Sequence, residues 1–277
     1  MLRTLLTEFM MHAPYQPATN YWRAVETEEI IKYDLPKGRG LDLGCGDGHL
    51  MAILTGHAGR RELAGLDIDP RETAIAQARN IYGVVVSAPA DNLPFRDCQF
   101  DFIFSNSVLE HIGNIEGVLK EVARVLRPSG RFLFTVPGEN FHRCLRGPWL
   151  WGDRELYLRE TDARCSHLRY WSARQWSEEL RKVGLTQIHQ HEYLTLAQVQ
   201  RWESIVRFTS GPLYRLLGSR KKPVEIQRQM RIRSLRVRLP RVLASLSAGV
   251  MNLGFHPDRS YYGCLLVEAT KRDDKSE

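Results

Sequence analysis

A doubly wound α/β sheet is the fold class this sequence predicts, and two observations carry that reading. Strand and helix signals alternate from residue 39 to about 194, which suits parallel strands with crossover helices rather than a sandwich or a bundle. Inside that stretch Leu41-Asp42-Leu43-Gly44-Cys45-Gly46-Asp47-Gly48-His49-Leu50 joins an apolar run to a helical pattern through three alternating glycines. Such a strand-turn-helix takes positive φ without strain and lets a nucleotide-like ligand approach main-chain N–H groups.

The elements follow in order. Ahead of the sheet, Thr19 to Lys32 carries Tyr21, Trp22, Val25, Ile30 and Ile31 at roughly helical intervals and stops before Pro36, a cap able to cover the ligand edge. Residues 39–43 form the first strand, and Leu50, Ile53 and Leu54 mark a helix over 48–57. A strand at 62–67 leads to Pro70, suited to the first helical position of 70–80. Strands at 83–87 and 100–105 follow, then a helix over 114–127 whose face is Val118, Val122, Val125 and Leu126 and which Pro128-Ser129-Gly130 stops. A strand at 130–136, a helix at 172–183 and a strand at 186–193 continue the alternation. The run Tyr261 to Ala269 reads as a buried strand, 67 residues beyond the preceding one, so 194–260 is an insertion.

Composition bounds the class. The 277 residues are 43% hydrophobic and 26% charged, ordinary for one large α/β core. The start, Met1 to Met11, fits neither a secretory signal nor a span, and the longest uncharged stretch, Val242 to Phe255, is too short to cross a bilayer. Five cysteines without a C-x-x-C pair argue against a disulfide framework, so a reducing cytoplasm is the simplest location. The net charge of +7 is local: residues 196–260 hold 13 of the 39 basic side chains and three of the 32 acids, which leaves 26 basic and 29 acidic residues elsewhere.

The glycine spacing G-x-G-x-G is neither G-x-G-x-x-G nor a phosphate loop, which needs Lys-Ser or Lys-Thr. Asp67 lies 23 residues after Gly44 at a strand end, where a carboxylate accepts two hydrogen bonds from a ribose diol. NAD and S-adenosylmethionine both have that diol. Asp91, in Ala90-Asp91-Asn92-Leu93-Pro94-Phe95, is placed to accept from an adenine amino group.

With Gly65-Leu66-Asp67-Ile68-Asp69, Phe100-Asp101, Val108-Leu109-Glu110-His111 and Glu121 to Arg131 added in register, the chain resembles the class I S-adenosylmethionine-dependent methyltransferases, notably the small-molecule group that includes ubiquinone and menaquinone methylases. The resemblance covers about 38–193 plus 261–270. It implies a Rossmann-like sheet of seven strands whose last strand inserts antiparallel. Beside that core stand an N-terminal helical cap over 1–37, a basic helical insertion over 194–260 and a flexible tail over 271–277. It also implies that Asp42, Gly44 and Gly46 surround the methionine part of the donor, Asp67 holds the ribose and Ile68 lies against adenine. Asp91 and Asn92 then meet the adenine edge, and Ser105 ends the fourth strand near the sulfonium. No metal is implied.

Methyl transfer from a sulfonium is an in-line displacement in which the protein mainly supplies alignment and a water-poor site. A base is needed only where the nucleophile holds a proton, and His111, His142 and His167 are the candidates because they fall on the expected ligand edge.

The acceptor is narrowed by composition. The fourth strand ends Ser105-Asn106-Ser107, with no Asn-Pro-Pro-Tyr sequence for adenine amino groups and no Pro-Cys pair for cytosine C5. Phe141, Trp149, Trp151, Tyr157, Tyr170 and Trp171 suit an apolar or ring-containing acceptor, or else the core of a lid. In the insertion Pro240 starts a helix with Leu243, Leu246, Val250 and Leu253 on one face before Gly254. Upstream, Ile232, Leu235 and Leu239 share a face amid Arg231, Arg233, Arg236, Arg238 and Arg241. Such a segment lies on an anionic membrane, at the inner face of a bilayer, or on phosphate; a lid or homodimer contact is the alternative.

Three readings stand at this point. One is a methyltransferase acting on a small hydrophobic, lipid-linked or natural-product acceptor, chiefly at oxygen, with S-adenosylhomocysteine as product. Another is an RNA or protein methyltransferase docking through the insertion, and nucleic acid is disfavoured by the lack of a separate RNA-binding module. The third is a donor-binding module without catalysis.

Overall fold

The computed structural model describes residues 1–148, 151–211, 238–252 and 258–273. Seven strands form one sheet: β1 (Arg39–Leu43), β2 (Glu62–Asp67), β3 (Val84–Ser87), β4 (Phe100–Asn106), β5 (Leu126–Pro137), β6 (Leu185–Thr195) and β7 (Tyr262–Lys271). Their order is β3-β2-β1-β4-β5-β7-β6. β1 pairs in parallel with β2 and β4, β3 adds to β2, β5 adds to β4, and β7 runs antiparallel to β5. The expected antiparallel last strand is therefore present. The order reverses between β1 and β4, and ligands of such sheets bind outside the carboxyl ends at that switch point.

Described helices are α1 (Leu2–His12), α2 (Pro17–Tyr33), α3 (His49–Ala58), α4 (Pro70–Gln77), α5 (Ile115–Val125), α6 (Phe141–Cys144), α7 (Arg154–Cys165), α8 (Ala173–Lys182), α9 (Leu196–Phe208) and α10 (Arg241–Met251). Among the described residues no helix is long and apolar enough to cross a membrane.

Contacts gather the described residues into two units. Those within Ile30–Gly138, Arg169–Glu192 and Cys264–Glu277 form a sheet unit, and those within Met1–Glu29, Glu139–Leu168 and Tyr193–Gly263 a helical unit.

The sheet unit owes its core to strands buried on both faces. Leu41, Leu43, Phe100, Ile103, Phe132, Phe134 and Val267 meet Val118, Leu119 and Val122 of α5 and Trp176 and Leu180 of α8. Each fully buried side chain of this size contributes about 1.5–3 kcal/mol. Leu126, expected on the α5 face, instead opens β5 opposite Phe100; the register then shifts before Phe102 meets Arg131, so Pro128-Ser129-Gly130 lies within the strand's span as an irregularity. Asn114 caps α5, and a Ser172–Gln175 capping box starts α8.

In the helical unit α1 packs on α10. Leu5, Leu6, Phe9 and Met10 bury one face of α1, a helix the sequence reading did not separate from a short apolar run. Trp22 of α2 meets Phe141 and Trp202 edge-on at 5.7 and 5.3 Å. In α10 Leu243, Leu246 and Val250 share a face and are exposed, and Ala244 and Ala248 of the opposite face are buried. Small alanines are what allow close approach to α1. Leu253, Gly254, Trp149, Arg231, Ile232, Arg233, Leu235 and Arg236 lie outside the described residues.

Candidate functional site

The glycine turn leaves β1 and closes onto β2. Gly44 and Cys45 donate their N–H groups to the Leu66 carbonyl at 2.7 and 2.9 Å, and Gly46 donates to Asp67 Oδ2 at 2.9 Å. Gly44 has φ +81, and a Cβ there would stand 2.4 Å from a Val108 methyl, so the turn after β4 packs directly on the glycine. Gly46 has φ +52 with open space where its Cβ would point. The Asp67 carboxylate also accepts from Asp69 N at 2.9 Å, while Asp69 caps α4 through Arg71 N. A carboxylate has about four acceptor positions. Two remain for a diol, and Asp67 is only half-buried.

Beside it Ile68 is 72% exposed, a bare aliphatic surface at the carboxyl end of β2. Asp91 accepts from Asn114 Nδ2 at 2.9 Å, and the Asn92 side chain is exposed. Their loop is stapled to α5: Leu93 N donates to Glu121, and the Arg124 guanidinium spans the Leu93 and Phe95 carbonyls, Glu121 and Asp97. Arg124 holds Glu121 below the usual carboxylate range. This is the physical role of the Glu121–Arg124 pair that the motif contains.

Asp42 is buried, and Tyr82 donates to its Oδ2 at 2.5 Å. Burial pushes its carboxyl up to about 7; the Tyr82 hydrogen bond opposes that rise, and Asp67 adds to it. The Tyr82 ring lies beside Gly48 and Gly65, so it wedges between the turn and β2. Sequence reading missed Tyr82, since an isolated tyrosine 40 residues from its partner carries no local signal. Burial, Asp42 and Asp67 together raise the Cys45 thiol far above its ordinary range, so it packs rather than reacts.

Ser105 is wholly buried and its hydroxyl donates to the Leu43 carbonyl at 2.9 Å, which ties β4 to β1. His111 ends a short 3₁₀ turn, exposed, with Nε2 3.9 Å from the buried Glu110. Arg169 straps that turn through the Leu109 and Gly113 carbonyls and lies over Trp171, a second residue that sequence reading missed.

The other two histidines belong to the helical unit. His142 Nε2 lies 2.8 Å from Asp162 Oδ1, and the rings of His142 and His167 stand 6.2 and 5.8 Å from Phe141. Phe141 is buried while Trp22 and Trp202 are half-buried. The aromatic residues expected together divide otherwise: Trp171 packs on Trp176 at 4.8 Å, Tyr157 bonds Glu203, and Trp151 is 93% exposed.

A cleft of about 650 Å³ opens elsewhere on the sheet unit, lined by Lys37, Arg39, Arg60, Arg61, Glu62, Asp101 and Arg127 at the amino ends of β1, β2 and β4. It holds none of the candidate groups, and its carboxylates are committed, Asp101 to Arg39 N and Arg127, Glu62 to Arg39. The carboxyl-end constellation instead has an open turn, a half-free carboxylate, an exposed aliphatic side chain and an acidic loop. Those are the complements of a charged amino-acid tail, a ribose diol and an adenine ring, so the residues present fit S-adenosylmethionine.

Comparison with known proteins agrees. A family model described as a methyltransferase domain matches residues 41–134. The chain is 34% identical over 108 residues to the uncharacterized protein MJ1123 of Methanocaldococcus jannaschii, covering 39% of this chain and 49% of that protein. It is 31% identical over 157 residues to the malonyl-[acyl-carrier protein] O-methyltransferase of Methylococcus capsulatus, covering 55% of this chain and 54% of that one. The chain thus spans about half the length of these curated relatives. The solved structure of Haemonchus contortus phosphoethanolamine N-methyltransferase 2 in complex with S-adenosyl-L-methionine shares the fold at a TM-score of 0.55 and 17% identity, over 90% of this chain and 52% of that one.

Proposed function

The chain carries the domain and the sheet of the class I S-adenosylmethionine-dependent methyltransferases and belongs with them, and from that premise we propose that it methylates an oxygen of a small, apolar or lipid-linked acceptor. The observation that carries the donor half is the glycine turn closed on Asp67 beside exposed Ile68. Taken by itself, the helical unit gathers the rings of Phe141, Trp22 and Trp202, which suit an apolar acceptor, and the choice of oxygen is supported by the O-methyltransferase relative.

Bound S-adenosylmethionine supplies a methyl already activated by sulfonium, and S-adenosylhomocysteine remains. Asp67 holds the diol through its two remaining acceptor positions. Ile68 offers apolar surface to the adenine ring, and Asp91 and Asn92 offer polar groups to its edge. Asp42, Gly44 and Gly46 surround the amino-acid end. For an acceptor hydroxyl, His111, His142 and His167 stand as candidate bases, and Asp162 at 2.8 Å orients the His142 ring.

Isothermal titration with S-adenosylhomocysteine tests the donor half, and an absence of binding overturns it. Labelled-methyl transfer into host extracts then identifies the acceptor, and label in RNA or protein alone would redirect the reading to the macromolecular alternative. His142→Ala is expected to lower kcat by about 10²-fold or more with donor affinity unchanged. Asp162→Asn should keep the ring in place and lower kcat less than His142→Ala does; an unaltered kcat in both variants removes His142 from the mechanism.

A further inference from the structure

α10 presents its large side chains outward. Val242, Leu243, Leu246 and Val250 are 71%, 50%, 59% and 66% exposed, and on a helix of 3.6 residues per turn they form one stripe at i, i+1, i+4 and i+8. Ala244 and Ala248, on the opposite face, are buried where α10 packs on α1. The attachment is specific: Leu239 N donates to the Met11 carbonyl at 3.1 Å, and Arg3 reaches Ser245 Oγ at 3.3 Å. The helix is therefore held by its small face, and its apolar face is left to water.

A contiguous apolar stripe of this kind marks a surface that another apolar phase covers. Charge decides which phase. Residues 238–252 contain Arg238 and Arg241, both exposed, and no acid. An anionic lipid surface accepts both features at once, burying aliphatic side chains among acyl chains while arginines meet headgroup charge. We propose that the outward face of α10, formed by Val242, Leu243, Leu246 and Val250, with the exposed Arg238 and Arg241 at the amino end of the helix, docks this protein on an anionic bilayer. An 11-residue helix lies in the interface rather than across it. The proposal is independent of the donor site and of the acceptor's identity.

Flotation of the full chain with vesicles of phosphatidylcholine, with or without one third phosphatidylglycerol, tests it. Binding is expected to the anionic vesicles, to fall by roughly tenfold or more in the Leu243→Ser/Leu246→Ser variant, and by about tenfold in Arg238→Gln/Arg241→Gln. These side chains are exposed, so unfolding midpoints should hold. A single Leu246→Trp variant gives a positive signal, a blue shift of indole emission on anionic vesicles alone. Failure to float with anionic vesicles at low salt, or undiminished flotation of the folded Ser variant, overturns the proposal. So does a dimer in sedimentation velocity that the Ser variant converts to monomer, since the stripe is then a contact between copies.

Discussion

Two carboxylates, Asp67 in the sheet unit and Glu203 in the helical unit, are held in different ways. In the sheet unit Asp67 takes its hydrogen bonds from backbone N–H groups of Gly46 and Asp69, and Asp69 takes its own from Arg71. In the helical unit Glu203 is buried and accepts from Arg146 N, Gly147 N, the Tyr157 hydroxyl and Arg207, while Glu26 accepts from Tyr193 far along the chain. A carboxylate bound by a local turn keeps acceptor capacity for a ligand. One that already accepts from four groups is spent on cohesion.

Glu203→Ala should break that contrast most severely. It removes the acceptor of four groups, and loss of one partner from a buried charged network costs about 3–5 kcal/mol. Urea unfolding followed by the fluorescence of Trp22 and Trp202 reads it, with Glu203→Gln intermediate. An Ala variant as stable as the parent would mean the network does not hold the unit together. Asp67→Ala is next, expected to weaken S-adenosylhomocysteine binding by ~1.5–3 kcal/mol in calorimetry through loss of charge-assisted bonds to the diol. Unchanged affinity would place the donor elsewhere.

The pH response of Asp42 sharpens the contrast within the sheet unit itself. Its folded value of about 7 stands above an ordinary carboxylate, so the fold favours the neutral acid. Below about pH 4 both states are protonated and the group is silent. Between there and pH 7 the unfolded chain ionises first, so stability from this group declines as pH rises and levels off above 7. Asp42→Asn should flatten that decline in thermal melts. Tyr82→Phe should do the reverse, since it removes a donor to the carboxylate, and cost about 1–2 kcal/mol at pH 8 and less at pH 5. Equal losses at both pH values would show that the tyrosine acts by packing alone.

The same division governs what the sequence makes legible. Strand runs, the glycine turn and the Asp69-Pro70 start of α4 are rules of neighbours, and the sheet appears where periodicity puts it. α7 buries only Thr161, so no apolar stripe announces it. α9 carried a readable sign in its Thr195–Gln198 capping box. In α10 the shared apolar face was legible, but a stripe of leucines and valines does not say whether that face is covered. Tyr82, Arg169 and the partners of Glu203 were hidden because each contact joins residues far apart in the chain.

Ser105 is the finest test, because motif and geometry part there. Position in the fourth strand suggests a donor contact; the hydrogen bond to Leu43 makes it a tie between β4 and β1. Ser105→Ala removes that bond from a fully buried site and leaves the Leu43 carbonyl without this donor, a loss of about 1 kcal/mol. The geometry therefore expects a small drop in unfolding midpoint with S-adenosylhomocysteine affinity unchanged. The opposite pattern, intact stability with weakened binding, would restore Ser105 to the ligand and show that its hydroxyl leaves Leu43 when the donor enters.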